Sequence, residues 1–120
     1  MNALSSYRPL TEWERGVILR LLSEFPFVGR DELLAQTDAV AARTIDEEGS
    51  ISLQCSCDVK AAVTARIPVE AEAQDRDGMT IHYLLHVVDG TMSELEVYKD
   101  DSSKVVRHPK PGDLRVMNAC

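Results

Sequence analysis

Cysteine is scarce in this sequence: Cys55, Cys57 and Cys120 are three among 120 residues. That odd, small number is too few for a disulfide framework. Long apolar runs are also missing. The stretch Leu84 to Val88 is interrupted by His86 and is far short of the roughly 20 residues that cross a bilayer. Met1 to Arg8 has no basic start followed by an apolar run, so no secretory leader is expected. These absences predict a cytoplasmic protein with reduced thiols and no membrane partner. Basic charge is in deficit, with 13 Lys and Arg against 20 Asp and Glu for a net −7, which argues against a nucleic-acid partner because phosphate neutralisation needs a basic face. Only six glycines occur, and none sits in a phosphate-cradling loop. His82, His86 and His108 are the only histidines. No serine lies in a Gly-x-Ser-x-Gly context, so a hydrolase triad is unsupported. The expectation is a non-enzyme without cofactor or metal.

What is present suffices for one domain over residues 1–120, since 44% of residues are hydrophobic and so can fill a single core. Thr11 and Glu14 have capping-box spacing. Trp13, Val17, Ile18, Leu21, Leu22 and Phe25 then recur on one helical face until Pro26, predicting a helix over 11–25. A short second helix is expected over 30–37, with Asp31 and Glu32 in its first turn. Beyond Asp38 the period falls to two, predicting strands over 40–45, 50–58, 66–74, 79–88, 91–98 and 113–117. The expected fold is α+β, with two N-terminal helices packed on one face of a mostly antiparallel five- or six-stranded meander sheet.

Register decides what the other face displays. Asp77-Gly78 and Asp89-Gly90 are hairpin turns. A two-residue loop at Asp89-Gly90 would set Leu85 against Glu94 and mix apolar with charged side chains. A three-residue loop with a glycine bulge instead sets Tyr83 against Leu95 and Ile81 against Val97, and is the expected register. The same loop at Gly78 sets Ala73, Ala71, Val69 and Ile67 against Ile81, Tyr83, Leu85 and Val87. The open face then collects Glu70, Glu72, His82, Leu84, His86, Met92, Glu94, Glu96 and Tyr98, with Glu72, His82 and Glu96 in one row across three strands. Such a row reads either as a solvated face with cross-strand ion pairs or as a binding surface.

Other motifs carry little chemistry. Cys55-Ser56-Cys57 alternates onto one strand face without the second ligand pair that zinc needs, and reads as structural thiols. Asp75-Arg76-Asp77-Gly78 opens like a calcium loop but lacks its later acidic ligands, and reads as a turn. Trp13 and Tyr83 fall on core faces.

Charge is unevenly placed. Residues 46–101 carry four basic against thirteen acidic side chains, a net −9, whereas residues 102–120 carry four against one. The basic tail is expected to fold back as an edge strand. The segments Arg8-Pro-Leu-Thr-Glu, Val17-Ile-Leu-Arg-Leu-Leu and Tyr83-Leu-Leu-His-Val-Val-Asp-Gly-Thr-Met-Ser-Glu-Leu-Glu-Val-Tyr resemble a family of small bacterial proteins of unknown function, from which Ser56 between the two thiols departs. In overall character the chain is also similar to immunity proteins of polymorphic toxin systems, including contact-dependent growth inhibition. Together with the acidic sheet half, that likeness leads to the expectation of a protein-binding inhibitor, and the self-contained core to that of a monomer or weak dimer. The inhibitor would occlude the basic groove of a cognate toxin domain, a nuclease by preference, with Glu70, Glu72, His82, Glu94 and Glu96 and a second patch at Asp46, Glu47 and Glu48. The competing readings are a small metal-dependent enzyme or sensor using Glu72, His82, His86 and Glu96, and a stand-alone structural or dimerisation module.

Overall fold

The computed structural model describes residues 6–118, so Cys120 lies outside the described residues. In chain order the elements are β1 (Arg8–Pro9), α1 (Glu12–Ser23), α2 (Arg30–Gln36), β2 (Val40–Thr44), β3 (Ile51–Cys55), β4 (Val69–Gln74), β5 (Thr80–Val88), β6 (Thr91–Lys99), a single 3-10 turn (Pro111–Asp113) and β7 (Arg115–Asn118). Thr11 caps α1. Its hydroxyl accepts from the Glu14 N–H at 3.1 Å, and Glu14 Oε1 accepts from the Thr11 N–H at 2.9 Å, so two otherwise orphaned donors are satisfied. Val17, Ile18, Leu21 and Leu22 form the buried stripe of α1 and join Leu33 of α2 and the inward face of the sheet in one core.

The expected two helices on a five- or six-stranded meander are corrected by the structure. Seven strands among the described residues pair in the order β1-β2-β3-β6-β5-β4-β7, every pair antiparallel, and this sheet dominates two short helices of 12 and 7 residues. The α+β class holds only in this broader sense. Two physical reasons account for the difference. β1 is two residues long, too short to show any alternation. In addition, β3 pairs with β6 rather than β4, a choice made by long-range packing that no local pattern encodes.

The β3–β6 junction is narrow. Ile51 opposes Leu95 and Ser52 opposes Glu94, and the Ser50 hydroxyl bonds both the N–H and the carbonyl of Val97. Toward Met92 a side chain takes the place of a strand. Gln36 Oε1 accepts from the Met92 N–H at 3.0 Å, and its amide nitrogen donates to the carbonyls of Gly90 and Val59. Gln36 is 1% exposed, and these bonds satisfy backbone groups that burial would otherwise penalise.

The β5–β6 hairpin uses the turn that the sequence pattern disfavoured. Asp89 and Gly90 both have positive φ, 51° and 76°, the signature of a two-residue type I′ turn, and Val88 opposes Thr91. Ser93 is then left without a partner, because Val87 opposes Met92 while His86 opposes Glu94. This bulge restores apolar pairing, with Leu85 against Leu95 and Tyr83 against Val97. It also turns Met92 into the core, at 1% exposure, rather than onto the open face. Gly90 has a second constraint, since a Cβ there would come within 2.7 Å of the Ala61 carbonyl. The β4–β5 register pairs Ala73, Ala71 and Val69 with Ile81, Tyr83 and Leu85.

The reduced-thiol expectation is corrected as well. Cys55 and Cys57 are joined by a disulfide across one intervening residue. Strand β3 ends at Cys55, so the alternation read through Asp58 stops early. Loop entropy grows with ring size, and this ring is small.

Candidate functional site

The sheet buries one face against α1, α2 and the segment that carries Val105 and Leu114, and leaves the other open. On the open face the β6 bulge moves each predicted neighbour two places along. Glu72 opposes His82, but His82 opposes Tyr98, and Glu96 opposes Leu84. The expected Glu72–His82–Glu96 row is therefore not formed. Glu72 instead meets Arg115 of β7 at 2.9 Å, while His82 Nε2 meets Asp100 Oδ1 at 2.5 Å and its ring stacks on Tyr98 with centroids 4.7 Å apart. Glu70 lies between Leu84 and Met117.

His86 is the buried member of the face, 9% exposed. Arg66 Nε donates to His86 Nδ1 at 3.0 Å. This network assigns the ring proton to Nε2, which donates to Glu96 Oε1 at 2.8 Å. Glu94 completes a group of three whose ligand atoms lie within 4.8 Å of one another. The donor set suits a divalent cation, but the second ring nitrogen is wired the other way. A metal-bound imidazole ordinarily donates its remaining N–H to an acceptor, whereas here that nitrogen faces the N–H of Arg66. Ligation at Nε2 requires Arg66 to turn away first. Of the residues in the metal-dependent reading, His86 and Glu96 are together, and Glu72 and His82 are each engaged elsewhere.

The second predicted patch joins the first. Asp46 Oδ1 accepts from the N–H groups of Glu48 and Ser50, both at 3.0 Å, and this turn brings the loop beside β6. Asp46 and Glu48 then line a cleft of about 240 Å³ together with Glu94, Glu96, Ser50 and Tyr98. Glu47 points elsewhere and pairs with Lys104 at 2.8 Å. Partial burial, and after it the carboxylates of Glu96, Asp100 and Glu70, hold the Tyr98 hydroxyl above the usual phenol range. Its shift registers the negative field of this surface.

The family description "Domain of unknown function (DUF6984)" matches residues 7–109. The chain belongs to this family. No curated protein and no solved structure matches it. The DUF6984 match takes in β1 to β6 and every carboxylate of the open face, and it ends before β7. No helix among the described residues is long and apolar enough to cross a membrane.

Several residues that shape this DUF6984 surface were not predicted from the sequence. The two-residue period places Arg66, which sets the His86 tautomer, at the start of the expected 66–74 strand, whereas β4 begins only at Val69 and Arg66 lies in the irregular stretch before it. Asp100 follows the last residue of β6, and only the true register places it beside His82.

Proposed function

We propose that this protein is a binding inhibitor whose acidic open face docks on a basic partner protein. In this reading it acts as an immunity protein does, by occluding the phosphate-binding groove of a toxin nuclease. The observation that supports it is the convergence of Asp46, Glu48, Glu94 and Glu96 on one cleft, with no Lys or Arg among the described residues in ion-pair contact with any of the four. Glu96 is held by His86, and Lys99 of the same cleft is engaged by Asp75 and Asp77, so four carboxylates without a Lys or Arg partner carry a field that accelerates encounter with a basic surface and disfavours acidic ones.

The test takes as partner a basic nuclease domain encoded beside this gene. Association is measured for the wild type and for the Glu94→Lys, Glu96→Lys double variant at low and high salt, after both are shown to melt alike. The expected result is association slowed about tenfold or more at low salt. The gap should narrow as the Debye length shrinks below about 8 Å. Equal rates at low salt remove this face from the interface, and a neighbourhood without such a nuclease removes the toxin reading.

A further inference from the structure

All 13 Lys and Arg side chains of the sequence lie among the described residues. Ten of them are engaged by a carboxylate, an aromatic ring, a hydroxyl or an imidazole. The three that remain, Arg76, Arg107 and Lys110, all line the same cleft of about 370 Å³. In a chain of net −7 with 20 carboxylates, three unpaired cations gathered in one place stand against the general charge of the molecule.

Their spacing is imposed by a buried group. Asp75 Oδ1 accepts from the backbone N–H groups of both Arg76, at 2.8 Å, and Arg107, at 2.9 Å, and its Oδ2 accepts from Val106 N and Lys99 Nζ. The Asp75 side chain is wholly buried, so it fixes the two arginine-bearing segments beside each other without offering its charge to either guanidinium. The tail is held from the other side by the Trp13 indole, which donates to the Pro109 carbonyl at 3.0 Å, and by His108, whose Nδ1 accepts from the Tyr83 hydroxyl at 2.9 Å. Asp75 and Asp113 also line the cleft, leaving a net excess of one positive charge on it, with the Asp75 carboxylate turned to Lys99 and to backbone N–H groups.

We infer that this cleft is an anion site for the phosphate group of a small phosphorylated molecule. Guanidinium forks match phosphate oxygens in bidentate fashion, and a lysine adds a point charge. The volume lies at the lower end of the range for small-molecule sites. A nucleic acid would need a longer basic track, and the acidic remainder of the surface repels one. The site is independent of the acidic face proposed above.

The test is calorimetric titration of the intact protein with inorganic phosphate, pyrophosphate and a sugar monophosphate, with melting followed in parallel. Wild type is expected to bind the sugar monophosphate saturably at one site, more tightly than either inorganic ion, and to melt higher with it. Arg76→Gln and Arg107→Gln are each expected to weaken binding about tenfold or more, and Lys60→Gln, outside the cleft, to leave it unchanged. Saturable binding of inorganic phosphate or pyrophosphate as tight as that of the sugar phosphate, or tighter, would assign the site to the free ion and overturn the organic-phosphate inference. So would equal weakening by Lys60→Gln, or no saturation by any probe up to about 10 mM. Both arginine side chains are exposed and make no hydrogen bond or ion pair among the described residues, so circular dichroism matching wild type is expected for both variants.

Discussion

Asp75→Ala is expected to destabilise the protein by about 3 to 5 kcal/mol, the cost of breaking a buried ion pair by removing one partner. Lys99 is 1% exposed, and its ammonium meets Asp75 Oδ2 at 3.0 Å, Asp77 Oδ2 at 2.5 Å and the Lys104 carbonyl at 3.2 Å. Without Asp75 the backbone N–H groups of Arg76, Val106 and Arg107 lose their acceptor, and Lys99 keeps only Asp77 and the Lys104 carbonyl. The tail should then detach from the β4–β5 turn, and hydrogen exchange at residues 106 and 107 should rise before global unfolding.

The same carboxylate predicts acid sensitivity. Burial pushes the Asp75 pKa up, but the N–H of Val106, the Lys99 ammonium and the N–H groups of Arg107 and Arg76 outweigh it and hold the carboxyl well below the usual range. A folded-state pKa below the unfolded one means that the contribution is complete above about pH 4, the ordinary Asp value, and is lost as pH falls toward the folded value. Lys99 works in the opposite sense. The Asp77 hydrogen bond, opposed by burial and assisted by Asp75, raises its pKa. Its contribution is present below the ordinary Lys value of about 10.4 and is lost as pH climbs through the folded one. Urea melts at pH 3 and pH 7 are expected to show a steeper acid loss for wild type than for Asp75→Ala. Identical slopes would refute the assignment.

Leu85→Ala is expected to cost about 2 to 5 kcal/mol, while its neighbour Leu84→Ala should cost about 1 kcal/mol or less. Leu85 is 0% exposed and lies between Val69 and Leu95, whereas Leu84 is partly exposed between Glu70 and Glu96. Truncating the first leaves a cavity in a close-packed layer, and truncating the second opens toward water. Denaturant melts of the two variants compare them directly, and equal losses would mean that both sheet faces are covered.

The open face shows how far sequence reasoning reached. Alternation sorts residues by parity, and a register error of two leaves parity intact. Glu94 and Glu96 therefore reach the open face both in the expected three-residue loop and in the observed two-residue turn with its Ser93 bulge, and Leu85, Leu95 and Val97 reach the core. Cross-strand neighbours are not protected by parity. His82 was placed against Glu96 and lies against Tyr98, and the Ser93 bulge that makes the difference leaves no mark in a Thr-Met-Ser-Glu run. Met92 changed faces for the same reason.

By itself the sequence determined the local structure: the capping box at Thr11 and Glu14, the apolar stripe of α1, the glycine turns, and the two-residue period that assigns most strand residues to a face. These follow from backbone hydrogen bonding and side-chain direction within a few residues of chain. Tertiary structure alone decided which strands meet, that Gln36 fills the gap beside β6, that Arg66 turns His86 toward Glu96, and that Lys99 is buried. Each of those depends on groups far apart in the chain, as Lys99 does on Asp75 and Asp77. A lysine reads as a surface residue until the carboxylates that offset its desolvation are brought to it, and only the folded chain brings them.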